Sequence, residues 1–115
     1  MSTSGWIGVD LDGTLARYDG WRGVEHVGEP IPAMLTRVRK WVSDGVAVKI
    51  FTARVSCAAD ELEMVEAPIK AWLLEHVGCE LPITCRKDFS MSELWDDRCV
   101  QVECNTGRRA DGRRE

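Results

Sequence analysis

The sequence predicts an α/β fold with a mainly parallel sheet and helices packed on its faces. Short apolar segments alternate with longer segments in which apolar residues recur at helical spacing, in the order strand, helix, strand, helix, strand, strand. This alternation favours parallel strands, because a parallel connection needs about a dozen residues and is usually helical. The chain has 115 residues, of which 44% are hydrophobic, so it suits one domain with its own core.

The first strand and the first helix are predicted within residues 6–42. The segment WIGVD, residues 6–10, is short and apolar, which is typical of a buried strand. Residues 13–30 are rich in glycine and turn residues and predict an irregular loop. Pro30 and Pro32 suit the first turn of a helix, and apolar residues then recur at helical spacing over residues 31–42.

The second half of the pattern repeats this order of strand and helix. VAVKIF, residues 46–51, predicts the second strand, and a helical period follows over residues 58–77. Pro68 should kink that helix or divide it in two. Three short apolar segments complete the chain: LPITC (81–85), ELW (93–95) and CVQV (99–102). The last is a candidate fifth strand, although it follows the fourth too closely to be its ordinary parallel neighbour.

The charge distribution separates a single domain from a short tail. Residues 1–107 predict one domain, and RRADGRRE, residues 108–115, predicts a disordered, arginine-rich tail. Without that tail the chain has 11 basic and 17 acidic residues, a net charge of −6. An acidic domain argues against a broad nucleic-acid-binding face, because such a face needs clustered lysine and arginine.

Other features of the composition indicate a cytoplasmic protein without a membrane partner. No apolar run approaches the ~18 residues that a membrane span needs, and MSTSGW lacks the pattern of a secretory signal. The five cysteines are an odd number without a C-x-x-C pair. They fit reduced thiols better than a disulfide framework.

Polar side chains stand where the predicted strands end. In chain order they are Asp10, Asp12, Thr52, Lys87, Asp96 and Asp97. In an open parallel sheet these strand ends line the crevice where ligands bind. Four carboxylates in one crevice require a cation, and all-oxygen ligation suits Mg²⁺. A magnesium ion that faces a lysine and a hydroxyl is typical of a phosphate site.

This pattern resembles the haloacid dehalogenase-like (HAD-like) phosphohydrolases over about residues 6–106. The resemblance is carried by DLDGT at a strand end, a threonine ending the next strand, a later lysine and an acidic pair after the fourth strand. KAWLLEHVG followed by WDDR is also similar to the small 5′-nucleotidase-type and phage-borne members. The resemblance implies a three-layer Rossmann-like fold. The intervals between the motifs are too short for a cap domain, so we expect a capless enzyme with an open site.

The resemblance also implies a role for each acidic residue. Asp10 is expected to be the nucleophile that forms an aspartyl-phosphate, and Asp12 the general acid and base. Asp96 and Asp97 are expected to hold Mg²⁺, together with Asp10 and the backbone carbonyl of Asp12.

Three further residues are candidates for binding phosphate. By the same resemblance, Thr52 donates a hydrogen bond to a phosphoryl oxygen and Lys87 neutralises the phosphoryl charge, although the adjacent Arg86 could take this role. Arg54 either reaches a substrate phosphate or forms a salt bridge. Trp21 lies in the loop after the aspartate pair and is the best candidate for stacking on a substrate base.

Together these expectations describe a magnesium-dependent phosphomonoester phosphatase that acts through an aspartyl-phosphate on a nucleotide or a nucleic-acid end. Two alternatives stay open: a small sugar-phosphate phosphatase, and a catalytically idle HAD-like binding module. Electrostatic stabilisation weakens in contact with bulk water. An open site therefore predicts cover from a large substrate or from a second subunit of a homo-oligomer.

Overall fold

The computed structural model describes residues 5–113 and contains one four-stranded parallel sheet with two α-helices. In chain order the elements are β1 (Trp6–Asp10), α1 (Pro32–Ser43), β2 (Val48–Phe51), α2 (Leu62–His76), β3 (Ile83–Thr84) and β4 (Met91–Trp95). Two single-turn 3₁₀ helices, Ala53–Val55 and Ala59–Glu61, lie between β2 and α2. The predicted α/β class with a parallel sheet is confirmed.

Strand β1 lies inside the sheet, between β2 and β4. The strands lie in the order β3-β2-β1-β4, and every neighbouring pair is parallel. In this register Val9 lies between Ile50 of β2 and Trp95 of β4. Because parallel strands run in one direction, the segments that follow β1, β2 and β4 emerge at the same edge of the sheet.

Both helices pack on one face of the sheet. The residues buried together there are Ile7 and Val9 of β1, Val48 and Ile50 of β2, Met34 and Val38 of α1, and Ile69, Trp72 and Leu73 of α2. The crossovers β1–α1–β2 and β2–α2–β3 step the same way across the sheet, so right-handed connections put both helices on this side. Each fully buried side chain of this kind contributes about 1.5–3 kcal/mol to folding.

The third layer implied by the resemblance is absent from residues 5–113. Residues 85–90, CRKDFS, join β3 to β4 without a helix. The segment is shorter than a helical crossover and has no apolar helical period. On this second face Trp6 stacks with Phe51 at a ring-centroid distance of 6.5 Å, and its indole Nε1 donates to Asp88. The fold is therefore two-layered over the described residues.

Two details of the predicted elements are decided by the structure. Of the two alternatives for Pro68, a kink or a division, the division does not occur: α2 runs through Pro68, and Val65 and Ile69 on either side of the proline are buried against the core. The packing of that face offsets the hydrogen bond that proline cannot make. CVQV does not extend the sheet: it contributes one isolated antiparallel bridge, between Val102 and Arg109. Its side chains are exposed, so no apolar face fixes it as a strand.

The segment after residue 100 folds back on itself. The Glu103 amide donates to the Arg108 carbonyl, and the Ala110 amide donates to the Gln101 carbonyl. Residues 108–110, which the sequence analysis assigned to the start of the tail, thus pair with the segment before them. Residues 114 and 115 lie outside the described residues.

The loop between β1 and α1 is held at its base and contains no helix or strand of its own. Ala16 bridges Pro30, and the Arg17 amide donates to the Glu29 carbonyl. The Trp72 indole of α2 donates to the Gly28 carbonyl at 2.8 Å. Within residues 5–113, both α-helices fall short of the length and apolar character that a membrane-spanning helix requires.

Candidate active site

Three carboxylates meet at the carboxyl edge of the sheet. Asp10 ends β1, and Asp96 and Asp97 directly follow the neighbouring strand β4. One oxygen atom from each side chain lies within 4.8 Å of the others. The strand order explains this convergence, because β1 and β4 are adjacent and end at the same edge. All four carboxylates that the sequence analysis expected at this crevice line one cleft, and three of them, Asp10, Asp96 and Asp97, form the cluster.

The chemistry of this cluster fits a magnesium ion. All three candidate ligands are hard carboxylate oxygens, which Mg²⁺ prefers. The three oxygens lie within 4.8 Å of one another, so they are close enough to be candidate ligands of one ion. Asp10, Asp96 and Asp97 are thus the residues that could hold the ion.

Burial and crowding raise the pKa of Asp10 from 3.8 to about 7. The largest cause is desolvation of the carboxylate, followed by the negative charge of Asp96 and a hydrogen bond shared with Asp97. A hydrogen bond from Thr14 acts in the opposite direction. The cluster therefore favours either a proton or a cation in its centre.

We expect the free energy of unfolding of the metal-free protein to fall as pH rises from about 4 to about 7. Folded Asp10 keeps its proton up to a pKa of about 7, whereas the unfolded chain releases it near 3.8. The folded state thus binds more protons across this window, and its stability falls as pH rises. Thermal unfolding in excess chelator checks this, with Asp10→Asn as control. Identical pH dependence in the two proteins would contradict the expectation.

Thr14 connects Asp10 and Asp97 within the cluster. The sequence analysis did not identify it as a site residue. Its hydroxyl lies 3.3 Å from Asp10 Oδ2 and 3.2 Å from Asp97 Oδ1, and it accepts from the Asp97 amide at 2.9 Å. A hydroxyl has one proton to donate, so the two carboxylates share it. The signal was present in the sequence, because Thr14 is the last residue of DLDGT.

Gly13 allows the loop after β1 to approach Asp97 closely. Its φ is +94°, a region that L-residues with side chains rarely adopt. A Cβ atom at this position would lie 2.6 Å from Asp97 Oδ2. A side chain here would therefore displace the Asp97 carboxylate from the cluster.

Gly13→Ala is expected to weaken Mg²⁺ binding, whereas Gly45→Ala is expected to leave it unchanged. Both glycines have positive φ, so each substitution costs about 1–2 kcal/mol of stability. A Cβ on Gly45, however, would meet no atom within 4 Å. Calorimetric Mg²⁺ titration of the two variants isolates the contact with Asp97. Equal affinities in both variants would show that this contact does not matter for the metal.

Asp12 pairs with Arg54 and stands outside the cluster of three carboxylates. Arg54 Nε donates to Asp12 Oδ2 and Nη2 donates to Oδ1, each at 2.8 Å. The side chain of Arg54 is 6% exposed and that of Asp12 is 20% exposed. This two-point, largely buried geometry is the strong form of the ion pair. Of the two alternatives for Arg54, the structure shows the salt bridge.

Arg54 also binds the loop that covers Asp12. Its Nη2 donates to the His26 carbonyl at 2.9 Å, and its Nη1 donates to the Val24 carbonyl at 3.3 Å. The guanidinium lies 4.9 Å from the centroid of the Trp21 ring. Trp21 remains 56% exposed, so one face of the ring contacts Arg54 while much of the side chain is open to solvent. Arg54 therefore connects Asp12 to the loop.

The remaining predicted phosphate-binding residues occupy different environments. Thr52 is 2% exposed and lines the cleft beside Asp10, where its hydroxyl accepts from the Arg54 amide at 3.2 Å. Its oxygen thus caps the following 3₁₀ turn, and its proton remains available for donation. Lys87 and Arg86 are exposed and lie outside the lining of the cleft. Arg98, which sequence reasoning did not single out, lines it.

Two cavities adjoin Asp12. The larger is an open cleft of about 940 Å³ that contains the three-carboxylate cluster. The smaller, of about 260 Å³, lies under the loop between β1 and α1. The residues that line both are Asp12, Tyr18, Trp21 and Arg54. A ligand held at the cluster could therefore extend past Asp12 into the smaller cavity.

Comparison with known proteins supports the fold alone. No family model matches the sequence, and no curated protein matches it significantly. A solved structure of a conserved protein from Bacteroides thetaiotaomicron is similar, with a TM-score of 0.58 and 18% sequence identity. The similarity covers 84% of this chain and 78% of that one. It is consistent with a Rossmann-like α/β fold.

Proposed function

We propose that this protein is a capless HAD-like, magnesium-dependent phosphomonoester phosphatase. The observation that carries the proposal is the cluster of Asp10, Asp96 and Asp97, with oxygens within 4.8 Å of one another at the carboxyl edge of a parallel sheet. The buried hydroxyl of Thr52 lines the same cleft. These groups belong to three of the four motifs on which the resemblance to HAD-like phosphohydrolases rests, and the fourth, Lys87, lies outside the cleft lining.

In the proposed reaction Asp10 is the nucleophile. One carboxylate oxygen forms a bond to phosphorus while the bond from phosphorus to the leaving oxygen breaks, which gives an aspartyl-phosphate. Water then forms a bond to phosphorus, and the bond to Asp10 breaks to release inorganic phosphate. Magnesium, when bound, offsets the charge of the carboxylates and of the phosphoryl group. Thr52 would donate its hydroxyl proton to a phosphoryl oxygen.

Asp12 is the proton carrier in this scheme. It gives a proton to the leaving oxygen in the first step and takes one from the attacking water in the second. An ionised carboxylate has about four lone-pair positions, and Arg54 occupies two of those on Asp12. The others remain for the transferred proton. Arg54 thus orients Asp12 and does not itself bind phosphate.

The cavity under the loop favours a nucleotide or a nucleic-acid end over a sugar phosphate. It lies beside Asp12, where the leaving group of the proposed reaction would stand. Tyr18 and Trp21 line it and are both about half exposed. Aromatic side chains of this kind stack on bases, at about 1–3 kcal/mol for each base. Its volume of about 260 Å³ suits a fragment more than a large ligand.

A comparison of three substrates tests this proposal. We expect magnesium-dependent phosphate release with the highest kcat/KM for a nucleoside monophosphate or a phosphorylated oligonucleotide, and a lower value for a sugar phosphate. Trp21→Ala should reduce the preference for the base-containing substrates and leave the rate with the sugar phosphate unchanged. A monomeric protein that prefers the sugar phosphate would favour the alternative phosphatase. The same result would contradict the expectation that a second subunit or a large substrate shields the open site from water.

Exposure of Lys87 favours a second candidate, a binding module that holds a phosphorylated ligand without turnover. The expected phosphoryl-binding lysine lies outside the cleft lining, so it would have to move to reach Asp10. Calorimetry with inorganic phosphate and Mg²⁺ distinguishes the candidates when combined with the substrate comparison. Binding without hydrolysis of any of the three substrates would support the module.

Replacing Asp96 or Asp97 by alanine is expected to raise the Mg²⁺ concentration needed for half-maximal rate. Each substitution removes one of the three oxygen ligands available in the cluster. Asp44→Ala is a matched control, because Asp44 is exposed and is not part of the cluster. Magnesium titrations of the rate that superimpose for wild type and both cluster variants would mean that the acidic pair is only a surface turn.

A further inference from the structure

The cleft presents an electrostatic problem to the proposed substrate. Its acidic lining residues are Asp10, Asp12, Glu61, Asp96 and Asp97. A phosphomonoester carries up to two negative charges, and one Mg²⁺ would offset only part of the charge of five carboxylates. The phosphate is therefore repelled unless cationic side chains of the cleft also face it. The expected cation, Lys87, is exposed and lies outside the lining.

Two arginines are the cationic residues that line the cleft in the described part of the chain, Arg54 and Arg98. Four hydrogen bonds occupy the guanidinium of Arg54, two to the Asp12 carboxylate and two to backbone carbonyls of the loop. That side chain is almost completely buried. It is therefore committed to Asp12 and to the loop.

The guanidinium of Arg98, in contrast to that of Arg54, is free to bind a ligand. Arg98 is exposed, and its guanidinium makes no ion pair or hydrogen bond with another residue of the range 5–113. Its backbone is nevertheless fixed beside the cluster, because its amide donates to Asp96 Oδ1 at 2.8 Å and it directly follows Asp97. The residue is thus anchored at the cluster with its charged group uncommitted.

We propose that Arg98 binds the phosphoryl group of the substrate in the cleft. The inference rests on the proposed function and extends it to a residue that the HAD-like motifs do not include. An arginine presents a planar set of N–H donors that matches two phosphoryl oxygens at once. Its charge also offsets part of the acidic lining when the phosphate enters.

Calorimetric binding of inorganic phosphate in saturating Mg²⁺ tests the assignment without requiring turnover. Arg98→Ala is expected to weaken phosphate binding by roughly tenfold to a hundredfold, the usual range for loss of a charged hydrogen bond. Arg98→Lys should recover part of that loss. Arg108→Ala is the control: Arg108 is an exposed arginine that lies outside the cleft lining, so its removal should leave phosphate affinity unchanged.

A Mg²⁺ titration without phosphate separates a binding role from a structural one. The amide that holds Asp96 remains in every Arg98 variant, so Mg²⁺ affinity should not fall. Unchanged phosphate affinity in Arg98→Ala, an equal loss in Arg108→Ala, or a parallel loss of Mg²⁺ affinity would each overturn the assignment. Phosphate binding that depends on Arg98 in a protein without hydrolytic activity would support the assignment while contradicting the phosphatase. Hydrolysis by the wild-type protein, together with normal phosphate affinity in Arg98→Ala, would support the phosphatase and contradict the assignment of Arg98.

Discussion

Asp10→Asn is expected to abolish phosphate release, with kcat lowered by about 10⁴-fold or more. The amide has nearly the same shape as the carboxylate, but its oxygen is a poor nucleophile and it carries no charge. Removing that charge also relieves the desolvation and the repulsion by Asp96 that raise the pKa of Asp10, so the metal-free variant should remain folded. Steady-state phosphate release with Mg²⁺, together with thermal unfolding, measures both effects.

Asp44→Asn is a suitable control for that substitution. Asp44 is an exposed carboxylate after α1 that pairs with Lys40 and lies outside the lining of the cleft. The change should leave kcat close to that of wild type. An Asp10→Asn protein that turns over at a near-normal rate would exclude Asp10 as the nucleophile, whatever the control shows.

Arg54→Ala is expected to lower the free energy of unfolding by about 2–4 kcal/mol. The substitution leaves the Asp12 carboxylate without its two-point partner and removes hydrogen bonds to two loop carbonyls. Loss of one partner of a buried ion pair costs about 3–5 kcal/mol, and the partial exposure of Asp12 reduces that figure. Chemical denaturation in urea measures the change.

Two companion variants make the Arg54 result specific. Lys40→Ala breaks an exposed ion pair with Asp44 and should cost less than about 1 kcal/mol. In a double-mutant cycle, Arg54→Ala should cost less in an Asp12→Asn background than in wild type, because the pair is already weakened there. Additive effects of the two substitutions would show that the ion pair contributes little to stability.

Local patterns in the sequence were sufficient to predict most of the fold. The apolar period over residues 31–42 corresponds to α1, and WIGVD corresponds to β1 with the same bounds. The parallel sheet followed from helices lying between strands. The missing third layer could not be seen from the family pattern, because it depends on segments outside the motifs, such as residues 85–90, which form no helix.

The candidate site was predictable where the backbone alone determines position. Asp10, Asp96 and Asp97 meet because adjacent parallel strands end together. The partner of Asp12 and the exposure of Lys87 depend on side-chain packing between distant segments, to which no spacing rule applies. Arg98 was overlooked because an arginine beside an acidic pair is ordinary for a surface turn. Only the structure shows that Arg54 is bound to Asp12, which leaves the Arg98 guanidinium as the free cationic group among the described residues that line the cleft.

The central claim is that the three-carboxylate cluster binds Mg²⁺ for phosphate transfer to Asp10. The most direct test is phosphate release from a generic aryl phosphate by the wild-type protein, first in excess chelator and then with Mg²⁺ restored. Asp10→Asn under the same conditions supplies the background rate. The account predicts no release above that background in chelator and recovery on addition of Mg²⁺. Full activity in excess chelator would contradict it.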